Sequence, residues 1–260
     1  MNVDPRKLRL SIIIPAKNEE RMLPTLLDAL ASQTLLPSEI IVADASSTDA
    51  TREIALSRGC IVVPGGMPGV GRNNGARVAT GDVLVFLDSD VHVEPGFLEG
   101  LEHEVRTRRL DSGAVYNIPR YIPGDKGYHS RAIRVFDRVV YFAHNVGLEL
   151  SSLFRYPYAT GTCMFLGRGL FWLVGGFDER MVAFEDSDLA ARAAKVGKHG
   201  VVKQPVVHIS TRRFDKHDRL LWVVYVTVNG FIGRALVGEH SHDYFDKRLN
   251  PRLPRSRLTS

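Results

Sequence analysis

Two aspartates separated by one residue, Asp88 and Asp90, directly follow an apolar run at 83–87. Two carboxylates held this close repel each other unless a cation or strong hydrogen-bond donors lie beside them. Carboxylate oxygens suit Mg²⁺ or Mn²⁺, and such ions in turn bind diphosphates. The pattern alone is weak, because any acidic turn produces it. Its position at the end of an apolar run is what favours a metal site.

Three further polar segments follow apolar runs earlier in the chain. Pro15, Lys17 and Glu19 follow the first run, and Asp44 follows the second. The third run leads into the glycine-rich stretch PGGMPGVGRNNGA, which contains Arg72. Because ligands bind at the carboxyl ends of strands in open parallel sheets, these segments predict one shared binding site. The alternative is that they are ordinary polar loops and helix caps.

Short β-branched runs alternate with amphipathic stretches through the N-terminal half. This alternation indicates βαβ units, and hence an α/β fold with an open, mostly parallel twisted sheet and helices on both faces. Pro15 is expected to end the first strand. The predicted strands are 10–14, 39–43, 61–63 and 83–87, and the predicted helices are 19–33, 48–58 and 72–80.

The C-terminal half is less regular, and no linker separates it from the first. The pattern predicts a strand over 163–166 and helices over 129–154, 168–174 and 186–196. We therefore expect a single domain in three parts. These are a nucleotide-binding half over 10–90, a variable acceptor and catalytic half over 91–214, and a C-terminal apolar helix with a basic tail over 215–260.

The glycine-rich stretch does not match a dinucleotide-binding fingerprint. Gly69 and Gly71 fit its first two positions, but Asn74 occupies the third, and the stretch follows the third strand rather than the first. We expect instead a turn whose backbone approaches a phosphate, with Arg72 reaching the ligand.

Composition and charge exclude several classes of protein. A hydrophobic fraction of 44% with 24% charged residues excludes a disordered chain or a coiled coil. Two cysteines, Cys60 and Cys163, exclude a disulfide scaffold and a cysteine-based zinc site. The net charge is +5, and the stretch from Arg106 to Arg138 alone has an excess of basic over acidic residues of the same size. Such an excess favours phosphates or anionic lipid, although a solvated basic surface is the alternative, and we expect no nucleic-acid partner.

One uncharged run, LLWVVYVTVNGFIG at 220–233, bears on localisation. It is shorter than the roughly 20 residues that a spanning helix needs. A buried element, an in-plane membrane contact and the seam of a homodimer remain open. The N-terminal residues lack the apolar region of a secretion signal, so we expect a cytoplasmic protein, with the inner face of the cell membrane as a second location.

Six segments in order along the chain resemble the motif series of the family-two glycosyltransferases with the GT-A fold. They are SIIIPAKNEE, ADASSTDAT, GRNNGA, FLDSD, GGFDE and EDSDLAAR, and the resemblance runs from about Leu10 to Arg213. Their order and spacing are more specific than any one of them. The resemblance implies an inverting transfer from a nucleotide-diphosphate sugar to an acceptor, with Mn²⁺ or Mg²⁺ as the cofactor.

The resemblance also implies roles for single residues. Asp186 is the implied catalytic base, and a capping role at a helix start is compatible with it. Asp90 and His208, with Asp88, are the expected metal ligands. The expected donor contacts are Pro15, Lys17, Glu19, Asp44, Arg72, Asp88 and Ser89, and the expected acceptor or phosphate contacts are Glu185, Arg212 and Arg213.

The chemistry of inversion supports a single base. One group must deprotonate the nucleophile as it attacks opposite the leaving group, while metal and basic groups stabilise the diphosphate. Lys17 stands where an aromatic residue often stacks on the nucleotide base, and no QxxRW motif of processive synthases follows His208. The acceptor is a glycan or a lipid-linked group. A polyprenyl-phosphate sugar synthase, a non-catalytic nucleotide-sugar or glycan-binding module and a nucleotidyltransferase remain as alternatives.

Overall fold

One mixed eight-stranded sheet runs through the computed structural model, which describes residues 7–122, 128, 130–153 and 157–211. The strands are β1 (Leu10–Ala16), β2 (Glu39–Asp44), β3 (Ile61–Pro64), β4 (Val83–Leu87), β5 (Val91–His92), β6 (Ser112–Arg120), β7 (Cys163–Gly167) and β8 (His199–Ser210). The helices are α1 (Leu23–Ala31), α2 (Thr51–Ser57), α3 (Pro68–Val78), α4 (Phe97–Arg108), α5 (Arg131–Leu153), α6 (Arg168–Leu173) and α7 (Glu185–Val196).

The strand order is β3-β2-β1-β4-β7-β6-β8-β5. Strands β1 to β4 pair in parallel, as the alternation of strands and helices predicts. Beyond β4 the sheet becomes mixed, because β7 runs antiparallel to both β4 and β6, and β5 runs antiparallel to β8. The α/β fold is confirmed, with its parallel part confined mainly to the N-terminal half.

Helices cover both faces of the sheet, and each face has its own core. Side chains alternate along a strand, so Ile12 and Ile14 of β1 join one core while Ile13 joins the other. Helices α1, α2 and α4 pack on the first face, and α3, α5, α6 and α7 pack on the second. Strands covered on both sides need apolar residues throughout, which explains the near-continuous apolar runs.

Two predicted boundaries are wrong for identifiable reasons. Pro15 does not end β1, which continues to Ala16. Strand β4 pairs with β1 only as far as Ile13, and proline is tolerated where a strand lacks a neighbour on one side. Helix α1 begins at Leu23 rather than at 19, because Asn18 adopts a positive φ of 55° and residues 20–22 form a turn that leads into the helix.

The glycine-rich stretch forms helix α3 rather than the expected turn. Pro68 lies in its first turn, where proline is favoured. A Cβ on Gly75 would lie 2.5 Å from Ile13 Cγ2, and one on Gly71 would lie 3.3 Å from Ala43 Cβ. The glycines at 71 and 75 therefore let α3 approach β1 and β2 closely.

The basic excess between Arg106 and Arg138 is not a single surface. Arg106 and Arg108 lie on α4, where they pair with Glu102 and Glu104 one helical turn away. The arginines of α5 belong to a helix on the other face of the sheet. The basic residues of this stretch are therefore divided between the two faces, and those of α5 form a separate group.

Some expectations fall outside the described residues. These are the roles of Arg212 and Arg213, the run at 220–233 and the tail at 215–260. Within the part that is described, no helix combines the length and the apolar character needed to cross a membrane.

The contact between α3 and β1 gives a stability prediction. Gly75→Ala should lower the free energy of unfolding by about 1–3 kcal/mol, because the new methyl group overlaps a fully buried isoleucine. Gly169→Ala is the matched control, since a Cβ there meets nothing within 4 Å. Denaturant unfolding measures both variants. Equal stability of the two would show that α3 does not need glycine at this contact.

Candidate active site

A buried arginine joins the two halves of the site. Arg72, on α3, donates from Nη1 to Glu185 Oε1 at 2.7 Å and from Nη2 to Asp88 Oδ1 at 3.0 Å. Its guanidinium carbon lies 5.5 Å from the centre of the Phe177 ring. The residue is only 3% exposed, so the bridge is shielded from water. It links the end of β4 to the start of α7.

The charges around Arg72 depend on one another. Burial disfavours the guanidinium cation, but Asp88, Glu185 and Asp186 outweigh that effect and raise the pKa of Arg72. Removing one partner of a buried ion pair leaves a charge uncompensated, which is strongly destabilising. The repulsion expected between Asp88 and Asp90 is thus relieved in part by a cation of the chain itself.

Asn73, the next residue of α3, holds the GGFDE segment. Its side chain accepts from Phe177 N and donates to Phe177 O, both at 2.9 Å, and it also donates to Glu179 Oε1 at 2.9 Å. Gly176 has a φ of 68°, and a Cβ there would lie 2.8 Å from Asn73 Oδ1. Arg72 and Asn73, which are adjacent on α3, thereby hold the EDSDLAAR and GGFDE motifs of the C-terminal half.

The segment before β7, residues 158–162, fits around the arginine. A Cβ on Gly161 would overlap Arg72 Nη2, so glycine alone leaves room for the guanidinium. Thr162 O accepts from Asp88 N at 3.2 Å, and the backbone N–H of Gly161 donates to Asp186. Sequence reasoning missed this segment. The Gly161-Thr162 pair directly before a predicted strand was the available signal.

Asp186 lies in the first turn of α7, and part of its side chain is still open to solvent. Burial, followed by the charge of Glu185, raises its pKa to about 7, against the lowering effects of Arg72 and two backbone N–H groups. One of these, Ser187 N, donates to Asp186 Oδ1 at 2.7 Å. Ser187 Oγ also donates to Ala159 O at 2.8 Å, which anchors the helix start. A carboxylate with this pKa can accept a proton near neutral pH.

A chain of hydrogen bonds joins Asn117 of β6, His144 of α5 and Tyr158. Tyr158 Oη lies 3.2 Å from His144 Nδ1, and His144 Nε2 lies 3.3 Å from Asn117 Nδ2. Burial lowers the pKa of His144 to about 4, so its ring is neutral. Since Asn117 donates to Nε2, the ring proton is on Nδ1 and is donated to Tyr158. Burial and then the charge of Asp186 raise the pKa of Tyr158.

The loops after β1 and β2 are locked to each other. Asn18 N donates to Ser47 Oγ at 2.9 Å, and Glu19 N donates to Thr51 Oγ1 at 2.8 Å. Thr48 N donates back to Asn18 Oδ1 at 2.9 Å. These bonds join the two loops into one rigid wall.

That wall carries the residues expected to bind the donor. Lys17 is exposed, Pro15 and Glu19 are half-buried, and Asp44 is buried, with Ser47 N donating to its carboxylate at 3.3 Å. They lie at the carboxyl ends of β1 and β2, in the same parallel sheet whose next strand ends at Asp88. The structure therefore brings the expected donor residues to one edge.

The second aspartate and the histidine lie where β5 and β8 meet. Ser89 and Asp90 are buried, and Asp90 O accepts from Ser210 N at 3.4 Å. His208 stands opposite His92, with its Nε2 3.7 Å from Glu94 Oε1. Burial first of all lowers the pKa of His208, so the imidazole is neutral, as a metal ligand must be. Its role as a ligand stays a prediction.

The residues present fit a metal that is shared with a diphosphate. Within the described ranges, no three His, Cys, Asp or Glu side chains gather at metal-binding spacing. Mg²⁺ commonly takes one or two carboxylates from the protein and its other ligands from substrate phosphates and water. Because Arg72 occupies an oxygen of Asp88, Asp90 is the carboxylate best placed for this role. Glu185, expected at the acceptor, is 8% exposed and paired with Arg72.

A family model described as Glycosyl transferase family 2 matches residues 11–174, which is more than half of the chain. The chain belongs to glycosyl transferase family 2. A PGL/p-HBAD biosynthesis glycosyltransferase of Mycobacterium bovis is 30% identical to this family-2 chain over 190 residues, covering 70% of the chain and 68% of that relative. A 4,4'-diaponeurosporenoate glycosyltransferase of Staphylococcus haemolyticus is 39% identical over 93 residues, covering 32% of the chain and only 24% of that relative's length.

Solved structures show the same fold as this family-2 chain. Glucosyl-3-phosphoglycerate synthase from Mycobacterium tuberculosis, in complex with Mn²⁺ and UDP, has a TM-score of 0.60 at 20% identity and covers 90% of the chain and 82% of that structure. The mannosyltransferase PcManGT from Pyrobaculum calidifontis, in complex with GDP-Man and Mn²⁺, has a TM-score of 0.60 at 20% identity. The match covers 83% of the chain and 60% of that structure. The GT-A fold expected from the motifs is confirmed.

The charge next to Asp186 gives a titration prediction. Glu185→Gln should lower the pKa of Asp186 from about 7, because it removes a negative neighbour and leaves the Arg72 cation less neutralised. Carboxyl-carbon NMR measures this pKa directly. Asp188→Asn is the control, since Asp188 lies on the same helix but pairs with Arg192 at 2.6 Å. An Asp186 pKa that is the same in both variants would contradict the proposed electrostatics.

Proposed function

We propose that this chain is a metal-dependent, inverting glycosyltransferase that moves a sugar from a nucleotide-diphosphate sugar to an acceptor hydroxyl. The observation that carries the proposal is the Arg72 bridge. It ties Asp88, at the end of β4, to Glu185, the neighbour of Asp186, and the pKa of about 7 at Asp186 supports that residue as the base. Solved neighbours with UDP-GlcNAc or with GDP-Man and Mn²⁺ support a donor of this class.

The donor belongs at the carboxyl ends of β1, β2 and β4. The locked loops present Lys17 and Asp44 to the nucleotide, and Asp44 supplies a carboxylate whose orientation Ser47 fixes. Asp90, with Asp88, would hold the divalent metal. When bound, that metal neutralises the charge that develops on the leaving diphosphate.

Asp186 takes the proton of the acceptor. As the acceptor oxygen attacks the anomeric carbon opposite the diphosphate, its hydroxyl proton passes to the Asp186 carboxylate, and the configuration inverts in one displacement. The N–H groups of Ser187 and Gly161 hold that carboxylate in position. Glu185 is committed to Arg72 and acts through its charge, which raises the proton affinity of its neighbour.

The raised pKa also bears on the acceptor. A phosphate acceptor, as in a polyprenyl-phosphate sugar synthase, is largely ionised at neutral pH, since its second pKa is about 6. It needs no base, whereas a hydroxyl does. Asp186 therefore favours a hydroxyl acceptor, carried by a glycan or by a lipid-linked group. A non-catalytic module would have no use for a base tuned to this range.

Replacing the base separates catalysis from donor binding. Asp186→Asn should retain nucleotide binding and lose transfer by at least about 10²–10⁴-fold, because the amide cannot accept the proton. The folded-state pKa lies above the usual 3.8, so the wild type loses stability as pH rises from about 4 through about 7. The variant should therefore be the more stable protein above pH 7. Transfer near the wild-type rate would mean that Asp186 is only a helix cap.

The metal site is tested by ligand-induced stabilisation. UDP or GDP with Mn²⁺ should raise the melting temperature of the wild type, and a ligand at a hundred times its Kd adds about 2.7 kcal/mol. Asp90→Asn should abolish the Mn²⁺-dependent part of that rise. Asp28→Asn, at an exposed aspartate of α1, is the matched control. An unchanged Mn²⁺ effect in Asp90→Asn would reject the assignment, and the better nucleotide identifies the base of the donor.

A further inference from the structure

Helix α5 carries a row of exposed apolar side chains on its outer face, here called the apolar stripe. Their spacing of three or four residues places them on one side of the helix, over about 27 Å. Their exposed fractions range from 37% to 75%. The stripe consists of Val135, Val139, Phe142, Val146, Leu150 and Leu153.

The stripe is apolar although it faces away from the core. The inner face of α5, with Tyr141 and Leu148, is already buried against the sheet. No residue of the described part of the chain covers the outer face to the extent that it covers the inner one. A contiguous exposed apolar patch on a protein surface marks an interaction site.

Arginines border the stripe in its N-terminal half. Arg131 and Arg138 are exposed along one flank. The acids of the helix do not offset them there, because Asp137 is buried and Glu149, near the other end, pairs with Lys203 at 2.7 Å. An apolar face edged by arginine is typical of helices that lie in the plane of a membrane surface.

A groove of about 420 Å³ opens beside the stripe, between α5 and β6. Phe142 and Arg138 line it, as does Asn117, which begins the hydrogen-bonded chain through His144 to Tyr158. The groove therefore adjoins both the stripe and this hydrogen-bonded chain.

We propose that the apolar stripe is an in-plane membrane contact, which rests on an anionic lipid surface and presents the groove to a lipid-linked acceptor. The part concerning the acceptor rests on the proposed transferase function. The contact of α5 with lipid stands on the stripe and its arginines alone.

The charge around the apolar stripe favours a lipid surface, rather than the chain's own apolar run at 220–233, as its binding partner. The residues before that run, 212–219, contain four Arg or Lys and two Asp. They carry the same sign as the border of the stripe, so the pairing of these two parts of the chain is opposed by repulsion. A single anionic surface attracts both, at about 1 kcal/mol for each cation close to it.

Vesicle flotation of the full chain tests the proposal. The wild type should float with vesicles of equal parts phosphatidylcholine and phosphatidylglycerol. The stripe variant, Val139→Glu with Phe142→Glu, should bind at least about tenfold more weakly, because two apolar contacts are lost. Leu56→Glu with Leu173→Glu is the matched control, with the same charge change at sites 52% and 71% exposed off the stripe. The control should float better than the stripe variant.

A second variant guards against misfolding of the first. Arg131→Gln with Arg138→Gln leaves the stripe intact and should weaken binding to these vesicles about tenfold or more, since each cation contributes about fivefold. It should have little effect on vesicles of phosphatidylcholine alone. Equal flotation of the wild type and both variants would overturn the proposal.

Two other outcomes assign the stripe to a different occupant and also overturn the proposal. If the wild type does not float and the stripe variant melts at a lower temperature without vesicles, the chain's own 220–233 run covers the stripe. If the wild type sediments as a dimer and the stripe variant as a monomer, a second copy covers it. Nucleotide-induced stabilisation is measured without vesicles, so failure of the membrane contact is distinguishable from failure of the transferase proposal.

Discussion

A buried guanidinium with a carboxylate on either side constrains much of this molecule. Arg72 compensates both Asp88 and Glu185, because without its cation two neighbouring carboxylates would be left unpaired and largely shielded from water. Those partners lie on β4 and α7, so the edge of the parallel sheet and the C-terminal half cannot move independently without breaking the bridge. Glycine at 161 and the helical glycines of α3 both serve to let this arginine lie where it does.

The bridge also sets the chemistry of a residue that it does not bond. The negative charge of Glu185 raises the pKa of Asp186, while the Arg72 cation lowers it. The two effects oppose each other within a few ångströms. The base is thus adjusted by a pair of neighbours rather than by burial alone, which allows it to remain partly open to an acceptor.

The parallel half of the sheet and the acidic end of β4 could be predicted from the sequence, because they depend on local patterns. Apolar runs of a given length and the polar residues that follow them are visible in a short window. The contact between Arg72 and Glu185 could not be predicted in this way, since 113 residues separate the two along the chain. The helix predicted over 72–80 begins earlier, at Pro68, for a related reason. Its glycines look like a loop until the approach of Ile13 from a distant strand is known.

The direction of β7 has a consequence for how the chain tolerates change. Strand β7 runs antiparallel to β4, with Leu87 opposite Cys163. The N-terminal end of β7, rather than its C-terminal end, therefore lies beside the site. Gly161 lies only two residues before that register point. An added residue between Gly161 and Cys163 would bring a side chain against Arg72. The length of this short segment is therefore fixed by the arginine that it surrounds.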